Sequence, residues 1–192
     1  MEKKDFLGVD KDEYSPIIKE DSLSFLAQLC ESFMPKRVLE IGTYIGFSAS
    51  VMLSSCECSL VTVEKNEENA SLAKVNLAPY GDRAKVVCAD AGEFIKRTKL
   101  PKFDLIFLDG PKGQYLNYLP YLKKLLNHGG VLVADNVYFH GLVNGKEFVK
   151  HKLRTLVVNL RKFLDALKND SDFETTVYDI GDGLSVSVYN GN

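Results

Sequence analysis

Two acids and an amide stand where predicted strands end, and their side chains could bind a hard metal ion. Asp109 closes an apolar run that begins at Asp104, and Asp135-Asn136 closes a second run that begins at Val131. Neighbouring parallel strands lie about 4.8 Å apart, so one Mg²⁺ with ligands at about 2.0–2.1 Å can bridge two such ends. Hard oxygen donors favour Mg²⁺ over zinc. We therefore predict a metal site at Asp109, Asp135 and Asn136; a capped loop followed by a simple turn is the alternative.

A lysine follows the first of these acids by three residues, in the segment Asp109-Gly-Pro-Lys112-Gly-Gln-Tyr115. An ammonium group close to a bound cation has its pKa lowered by the like charge and by desolvation, which brings it into the range of a general base. We therefore predict that Lys112 is the catalytic proton acceptor. An ordinary solvated lysine is the alternative.

A turn that contains two glycines, Val38-Leu-Glu-Ile-Gly-Thr-Tyr-Ile-Gly46, leads from a predicted strand into a helix, where α/β sheets bind nucleotide-like ligands. The glycine spacing is G-x-x-x-G, whereas a loop that binds pyrophosphate has G-x-G-x-x-G. Glu40, just before the turn, would repel a pyrophosphate. An acid here suits a ligand that carries an amine and a sulfonium cation, and S-adenosylmethionine is such a ligand.

Two further acids follow at the ends of the next predicted strands. Glu64 ends the second strand, where a carboxylate can accept hydrogen bonds from both ribose hydroxyls, and Asp90-Ala91 ends the third, in position to contact adenine. Each alone has an ordinary structural explanation, but their order at successive strand ends favours a cofactor site. The predicted cofactor-binding residues are Glu40, Gly42, Thr43, Gly46, Ser48, Glu64, Asp90, Ala91 and Asp109.

The elements that must position these residues alternate between short apolar runs and helical patterns. The helical patterns lie near residues 47–54, 66–78, 91–97 and 114–126. This alternation predicts a doubly wound, mostly parallel, Rossmann-like sheet with helices on both faces. The predicted parallel strands are Arg37–Ile41, Ser59–Glu64, Lys85–Cys88, Asp104–Asp109 and Val131–Asp135.

The two ends of the chain depart from this alternation. Helical spacing before the first strand predicts an N-terminal helix capped by Asp21 or Ser22. A long helix with an apolar face from Leu153 to Leu167 follows the fifth strand. The chain then closes with two strands joined by the turn Gly181-Asp-Gly183, which must be antiparallel because the turn is short. These strands, Thr175–Ile180 and Leu184–Tyr189, bring the predicted sheet to seven strands.

Composition restricts the class of protein. The chain has 192 residues and a formal charge of −2, with 24 Lys+Arg and 26 Asp+Glu, which excludes collagen, disorder and a disulfide scaffold. Without a repeat or a linker, residues 1–192 are predicted to form one domain. Neither a membrane span nor a signal peptide is evident, which predicts a cytoplasmic protein without a membrane partner. The segment from Lys146 to Lys168 holds seven Lys/Arg and two acids, so it carries +5.

Four motifs of the chain together resemble the cation-dependent O-methyltransferases of the catechol and caffeoyl-CoA type, from about Pro16 to Val188. The resemblance implies a class I methyltransferase fold, S-adenosylmethionine as methyl donor and Mg²⁺ or another divalent cation as cofactor. It also implies that Asp109, Asp135 and Asn136 are metal ligands and that Lys112 is the base. The motifs are Glu40-Ile-Gly-Thr43 with Gly46-x-Ser48, Asp109-x-x-Lys112-x-x-Tyr115, Ala134-Asp-Asn136 and Gly181-Asp-Gly-Leu184.

Within that family, short segments around Lys112, Asp135 and Arg154 look most like the bacterial members that methylate 5-hydroxyuridine at the wobble position of tRNA. A catechol offers the same pair of vicinal oxygens as 5-hydroxyuridine, so both acceptors stay open, and relatives of this kind also allow a homodimer. Tyr115 and His140 are predicted to stack on the acceptor, and side chains that merely fill a lid are the alternative. Arg154 and Arg161 are predicted to contact phosphates of the tRNA anticodon loop, and a solvated helix face is the alternative.

Overall fold

The computed structural model describes residues 18–145 and 149–191. The chain divides into two compact units, Met1–Arg97 and Thr98–Asn192. Pro16, near which the family resemblance begins, and Lys146 and Glu147, at the start of the basic segment, lie outside the described residues. In the part of the chain that the structure describes, no helix has the length and apolar character needed to cross a membrane.

The sheet of the first unit has three parallel strands in the order β3-β2-β1. Every side chain of the first strand after Arg37 is buried, as expected for a strand covered on both faces. The register pairs Glu40 with Thr62, which brings two polar side chains together inside the sheet. The strands are β1 (Arg37–Ile41), β2 (Ser59–Glu64) and β3 (Ala84–Cys88), so the predicted bounds are confirmed to within one residue.

The helices of the first unit differ in how they begin. The Asn66 side chain accepts a hydrogen bond from the N–H of Asn69 at 2.8 Å, which caps the third helix. The first helix starts at Glu20, so the prediction that Asp21 or Ser22 caps it is wrong; Glu20 and Asp21 instead place negative charge in its first turn. The helices are α1 (Glu20–Phe33), α2 (Phe47–Ser55), α3 (Glu67–Leu77) and α4 (Ala91–Arg97).

The sheet of the second unit has four strands in the order β4-β5-β7-β6. Strands β4 and β5 are parallel. Strand β7 is antiparallel to both of its neighbours, β5 and β6, which confirms the predicted hairpin. Strand β5 starts at Leu126 rather than at the predicted Val131. Its register against β4 shifts between Phe103 and Leu105, which accommodates the extra residues around Gly129. The strands are β4 (Phe103–Leu108), β5 (Leu126–Ala134), β6 (Phe173–Tyr178) and β7 (Leu184–Tyr189).

Two helices complete the second unit, α5 (Tyr115–Leu125) and α6 (Arg154–Asn169). Helix α6 is amphipathic as predicted, since Val157, Leu160 and Leu167 are buried and its Lys and Arg side chains are exposed. The predicted α/β class, mostly parallel with antiparallel C-terminal strands, is confirmed.

Candidate active site

The turn after β1 reaches α2 through two glycines in the left-handed region. Gly42 has φ 94° and Gly46 has φ 89°. The N–H of Gly46 donates to the carbonyl of Thr43 at 2.9 Å, which closes the turn. A Cβ at Gly46 would lie 3.1 Å from Cγ of Leu77, so both the backbone and the packing favour glycine there.

Glu40, whose side chain is fully buried, accepts hydrogen bonds from two hydroxyls. Ser48 Oγ donates to Oε1 at 2.5 Å and Thr62 Oγ1 donates to Oε2 at 2.5 Å. Thr62 Oγ1 is also hydrogen-bonded to Thr43 Oγ1; because a hydroxyl has one proton and that of Thr62 goes to Glu40, Thr43 is the donor. Glu40 therefore orients Ser48 and Thr62, and its predicted contact with a ligand stays a prediction. Thr62 was not predicted, since its place in the strand gives no sequence signal.

Glu64, at the end of β2, anchors the glycine turn. Its carboxylate accepts hydrogen bonds from the N–H of Tyr44 at Oε2 and from the N–H of Asn66 at Oε1, both at 2.8 Å. Tyr44 has φ 50°, a conformation that this bond helps to hold. Each carboxylate oxygen has a second lone pair, so Glu64 can still accept hydrogen bonds from a ligand.

Asp90 caps the fourth helix. Its Oδ1 accepts a hydrogen bond from the N–H of Glu93 at 3.2 Å, and its Oδ2 lies 3.1 Å from Nζ of Lys65. The hydrogen bond from Lys65 lowers the pKa of Asp90 below its ordinary value, and the backbone N–H of Glu93 acts in the same direction. Ala91 is the first residue of α4, so its predicted contact with a ligand would come from a helix start.

Asp109 and Asp135 directly follow the ends of two neighbouring strands, as predicted. The last register pair of β4 and β5 joins Leu108 to Ala134, the residues immediately before the two acids, and the N–H of Asp135 donates to the carbonyl of Leu108 at 3.1 Å. Asp135 is fully buried and its Oδ1 accepts a hydrogen bond from the N–H of Asn136 at 2.8 Å. The backbone positions of Asp109 and Asp135 therefore lie side by side after paired strand ends, and Asn136 follows Asp135 in the chain.

Lys112 forms an ion pair with Asp109. Its Nζ lies 2.5 Å from Oδ1, and the two side chains are only 16% and 17% exposed. Burial lowers the pKa of Lys112, but Tyr115 and Asp109 beside it outweigh burial and raise the pKa above its ordinary value. Burial also raises the pKa of Asp109, against the attraction of Lys112. These directions describe the chain without a bound cation, so the lowered pKa predicted for Lys112 beside a cation stays a prediction.

Tyr115, predicted to stack on an acceptor, is fully buried. Its hydroxyl donates to the carbonyls of Leu108 at 2.9 Å and Asp135 at 3.3 Å, and its ring packs edge-on against Phe163, with centroids 5.4 Å apart. Burial raises the pKa of the Tyr115 hydroxyl, which keeps it a donor. The stacking prediction is therefore wrong, because this side chain fills the core and ties the ends of β4 and β5 together.

The β5 loop, residues 136–145, begins at the metal-ligand candidate Asn136, directly after Asp135. Asn136 and His140 have φ 55° and 57°, values unusual for residues other than glycine. The N–H of Tyr138 donates to the carbonyl of Asp182, and the N–H of His140 lies 2.8 and 2.7 Å from the two carboxylate oxygens of Asp182. The His140 side chain is 79% exposed, and its stacking on an acceptor stays a prediction.

Arg161 stabilises the far end of the β5 loop. Its guanidinium group donates to the carbonyls of Leu142 at 2.9 Å, Val143 at 3.0 Å and Gly145 at 3.3 Å. This arrangement differs from the predicted phosphate contact, because three loop carbonyls already engage the side chain. Arg154 is exposed on α6, and its contact with RNA stays a prediction.

The donor set at the edge of β4 and β5 fits a hard divalent cation. Asp109, Asp135 and Asn136 supply two carboxylates and one amide oxygen, the ligand types that Mg²⁺ takes with water in its remaining positions. Among the described residues, no group of three or more His, Cys, Asp and Glu side chains is arranged to hold a metal ion. The candidate site therefore depends on the amide of Asn136 as its third ligand.

Known proteins resemble the chain over almost its whole length. A family model described as O-methyltransferase matches residues 9–189. A caffeoyl-CoA O-methyltransferase from Populus kitakamiensis is 30% identical over 86% of this chain and 75% of its own length. A catechol O-methyltransferase from Mycobacterium tuberculosis is 35% identical over 59% of this chain and 53% of its own.

Solved structures agree with the sequence relatives. The O-methyltransferase from Bacillus cereus, solved in complex with SAH, is 25% identical to this chain and has a TM-score of 0.79. The similarity covers 90% of this chain and 82% of that one. The chain therefore belongs to the O-methyltransferase family, among the enzymes related to caffeoyl-CoA and catechol O-methyltransferases.

Proposed function

We propose that the protein transfers a methyl group from S-adenosylmethionine to a hydroxyl that has a vicinal oxygen, with Mg²⁺ or another divalent cation as cofactor. The observation that carries this proposal is the pairing of β4 and β5, which puts Asp109 beside Asp135, with Lys112 in contact with Asp109. The SAH complex of the related Bacillus cereus enzyme supports the choice of donor.

The cofactor is proposed to bind at the glycine turn after β1. Glu64, held by two backbone N–H groups, would accept hydrogen bonds from the ribose hydroxyls. The left-handed glycines at 42 and 46 give the turn the backbone conformation that a ligand would meet. Ser48 and Thr43, oriented through Glu40 and Thr62, would meet the amino-acid end of the cofactor.

Asp109, Asp135 and Asn136 would hold the cation. Such a cation would lower the pKa of the acceptor hydroxyl. Once the contact of Lys112 with Asp109 has broken and its ammonium proton has passed to solvent, the neutral amine would accept the hydroxyl proton at Nζ. The acceptor oxygen then forms a bond to the methyl carbon while the carbon–sulfur bond breaks, which leaves S-adenosylhomocysteine and the methyl ether.

For the acceptor, we propose 5-hydroxyuridine at the wobble position of tRNA. The accessible His140 side chain on the β5 loop and the exposed basic side chains near the start of α6 support this choice. Small catechol-like or phenolic acceptors are the second candidate, favoured by the relatives named caffeoyl-CoA and catechol O-methyltransferase.

The test is methyl transfer from labelled S-adenosylmethionine to tRNA bearing 5-hydroxyuridine and to a panel of catechols, each with Mg²⁺ and with a chelator. We expect metal-dependent labelling of the tRNA, lost in Asp135→Asn because one carboxylate ligand becomes an amide. Labelling that persists after chelation and in Asp135→Asn would rule out the metal-dependent mechanism. Labelling of catechols alone would assign the second candidate function.

A further inference from the structure

The turn between β6 and β7 contacts the β5 loop at consecutive backbone positions. The N–H of Val137 donates to the carbonyl of Gly183 at 3.0 Å, and the N–H of Tyr138 donates to the carbonyl of Asp182 at 2.9 Å. The N–H of His140 lies within 2.8 Å of both carboxylate oxygens of Asp182. From these contacts we infer that Asp182 is a positioning residue, which holds the β5 loop in the conformation that presents Asn136 and His140 to the site.

The backbone of the β5 loop needs such support. Asn136, Phe139 and His140 all have φ between 47° and 57°, and residues with a Cβ keep this conformation only when their surroundings enforce it. Asp182 acts at the last of the three, through a carboxylate that is 9% exposed. A hydrogen bond to a charged acceptor is stronger than one to a neutral group, and burial protects it from competition by water.

The glycine after Asp182 makes the contact close. A Cβ built at Gly183 would lie 2.5 Å from Cγ of Tyr138, so the Tyr138 ring occupies the space that any other residue would need. Gly183 also has φ 83°. The turn therefore contributes two backbone carbonyls, a carboxylate and a glycine that packs on the Tyr138 ring to the same stretch of the loop.

Asp182 accepts hydrogen bonds from the N–H groups of Tyr138 and His140, so its effect on Asn136 passes through the backbone of residues 137–140. This inference rests on the proposed function in one respect, because it takes Asn136 as a metal ligand. Partners that orient metal ligands typically change metal affinity by about 10–100-fold when removed. Asn136 lies four residues before His140, whose N–H is anchored by Asp182. A loosened loop would therefore let the amide oxygen of Asn136 occupy a wider range of positions.

The experiment compares Asp182→Asn with Asp179→Asn, which removes an exposed carboxylate from the same hairpin. Calorimetry measures Mg²⁺ and S-adenosylmethionine affinity, and hydrogen exchange measures protection of the amides of residues 137–140. For Asp182→Asn we expect Mg²⁺ affinity to fall by about tenfold, with faster exchange in the loop. We expect unchanged S-adenosylmethionine affinity, and recovery of the turnover number at high Mg²⁺. Asp179→Asn should match the wild type in every measurement.

The outcomes separate this inference from the proposed function. Wild-type protein that binds no divalent cation contradicts the proposed metal site, whereas unchanged loop exchange in Asp182→Asn overturns the positioning role whether or not metal binds. Faster exchange with unaltered Mg²⁺ affinity overturns the link to Asn136. If Asp182→Asn misfolds and loses cofactor binding, Asp182→Glu is the second variant, because it keeps the charge but displaces the carboxylate. Wild-type exchange rates for the amides of residues 137–140 in Asp182→Glu would count against the inference.

Discussion

The ion pair between Lys112 and Asp109 is the residue-scale feature on which the proposed chemistry depends. A lysine held by a carboxylate is a poor base, because the charged form is the stabilised one. The same contact keeps the ammonium near the place where a proton must be accepted. Its disruption is therefore part of the reaction that we propose.

Replacement of Lys112 tests its role as the base. We expect Lys112→Met to lower kcat by about 10²–10⁴-fold, the usual contribution of general acid–base catalysis, while S-adenosylmethionine affinity is unchanged. Lys124→Met, on the exposed side of α5, is the matched control and should retain full activity. Turnover of Lys112→Met within a few-fold of wild type would remove the lysine from the mechanism.

Asp90 gives a pH-dependent prediction. Its pKa is lowered by Lys65, so its charge contributes stability above its ordinary pKa of 3.8, and this contribution is lost as the pH falls through the lower folded-state pKa. Asp90→Ala should cost about 0.5–2 kcal/mol at pH 7 because the helix loses its cap. Asp90→Asn keeps the cap and should lose only the pH dependence. Urea unfolding at pH 7 and at pH 3–4 measures both; equal pH profiles for the wild type and Asp90→Asn would contradict the assignment.

At the scale of the elements, the glycine turn makes the packing of α2 against α3 sensitive to a single methyl group. Gly46→Ala places a Cβ against Leu77, whereas Gly129→Ala has the same backbone strain with nothing within 4 Å. We expect Gly46→Ala to lower the free energy of unfolding by about 1–3 kcal/mol more than Gly129→Ala, as overpacking does. Equal losses in urea unfolding would show that strain alone matters.

Arg161 connects α6 to the β5 loop. Arg161→Met removes the donor of three carbonyls and should lower the free energy of unfolding by about 1–2 kcal/mol. The exposed neighbour Lys162→Met should change it little. If both variants unfold like the wild type, Arg161 does not stabilise the loop, and the predicted contact of Arg161 with tRNA phosphates becomes the better explanation.

Strand ends could be predicted from the sequence because apolar runs and the rules of parallel sheets are local signals. Asp109 and Asp135 lie side by side for that reason. The burial of Tyr115 could not be predicted, since its hydroxyl finds its acceptors only after β4 and β5 pair. The contact between His140 and Asp182 joins residues 42 positions apart, and no local pattern reports it.

At the scale of the whole molecule, the charge distribution bears on the acceptor. The segment 146–168 carries +5 in a chain of −2, so the remainder carries −7. If tRNA is the acceptor, replacing Lys150, Lys152 and Lys162 by glutamine should lower the salt dependence of tRNA binding by about 0.7–0.9 per lost phosphate contact. Filter binding across salt concentrations measures this slope, with Lys124→Gln as control. An unchanged slope would indicate that this segment is a solvated surface.

The single domain, the homodimer and the cytoplasmic location stay predictions.

The buried hydroxyls around Glu40 give the cofactor turn a chemical polarity. Ser48 donates its proton to Glu40, and Thr43 donates its proton to Thr62, so both hydroxyl protons point inward. Only the lone pairs of these two hydroxyl oxygens are available to a ligand. A group that meets them must bring its own proton, so the turn is matched to an ammonium group and mismatched to a carboxylate.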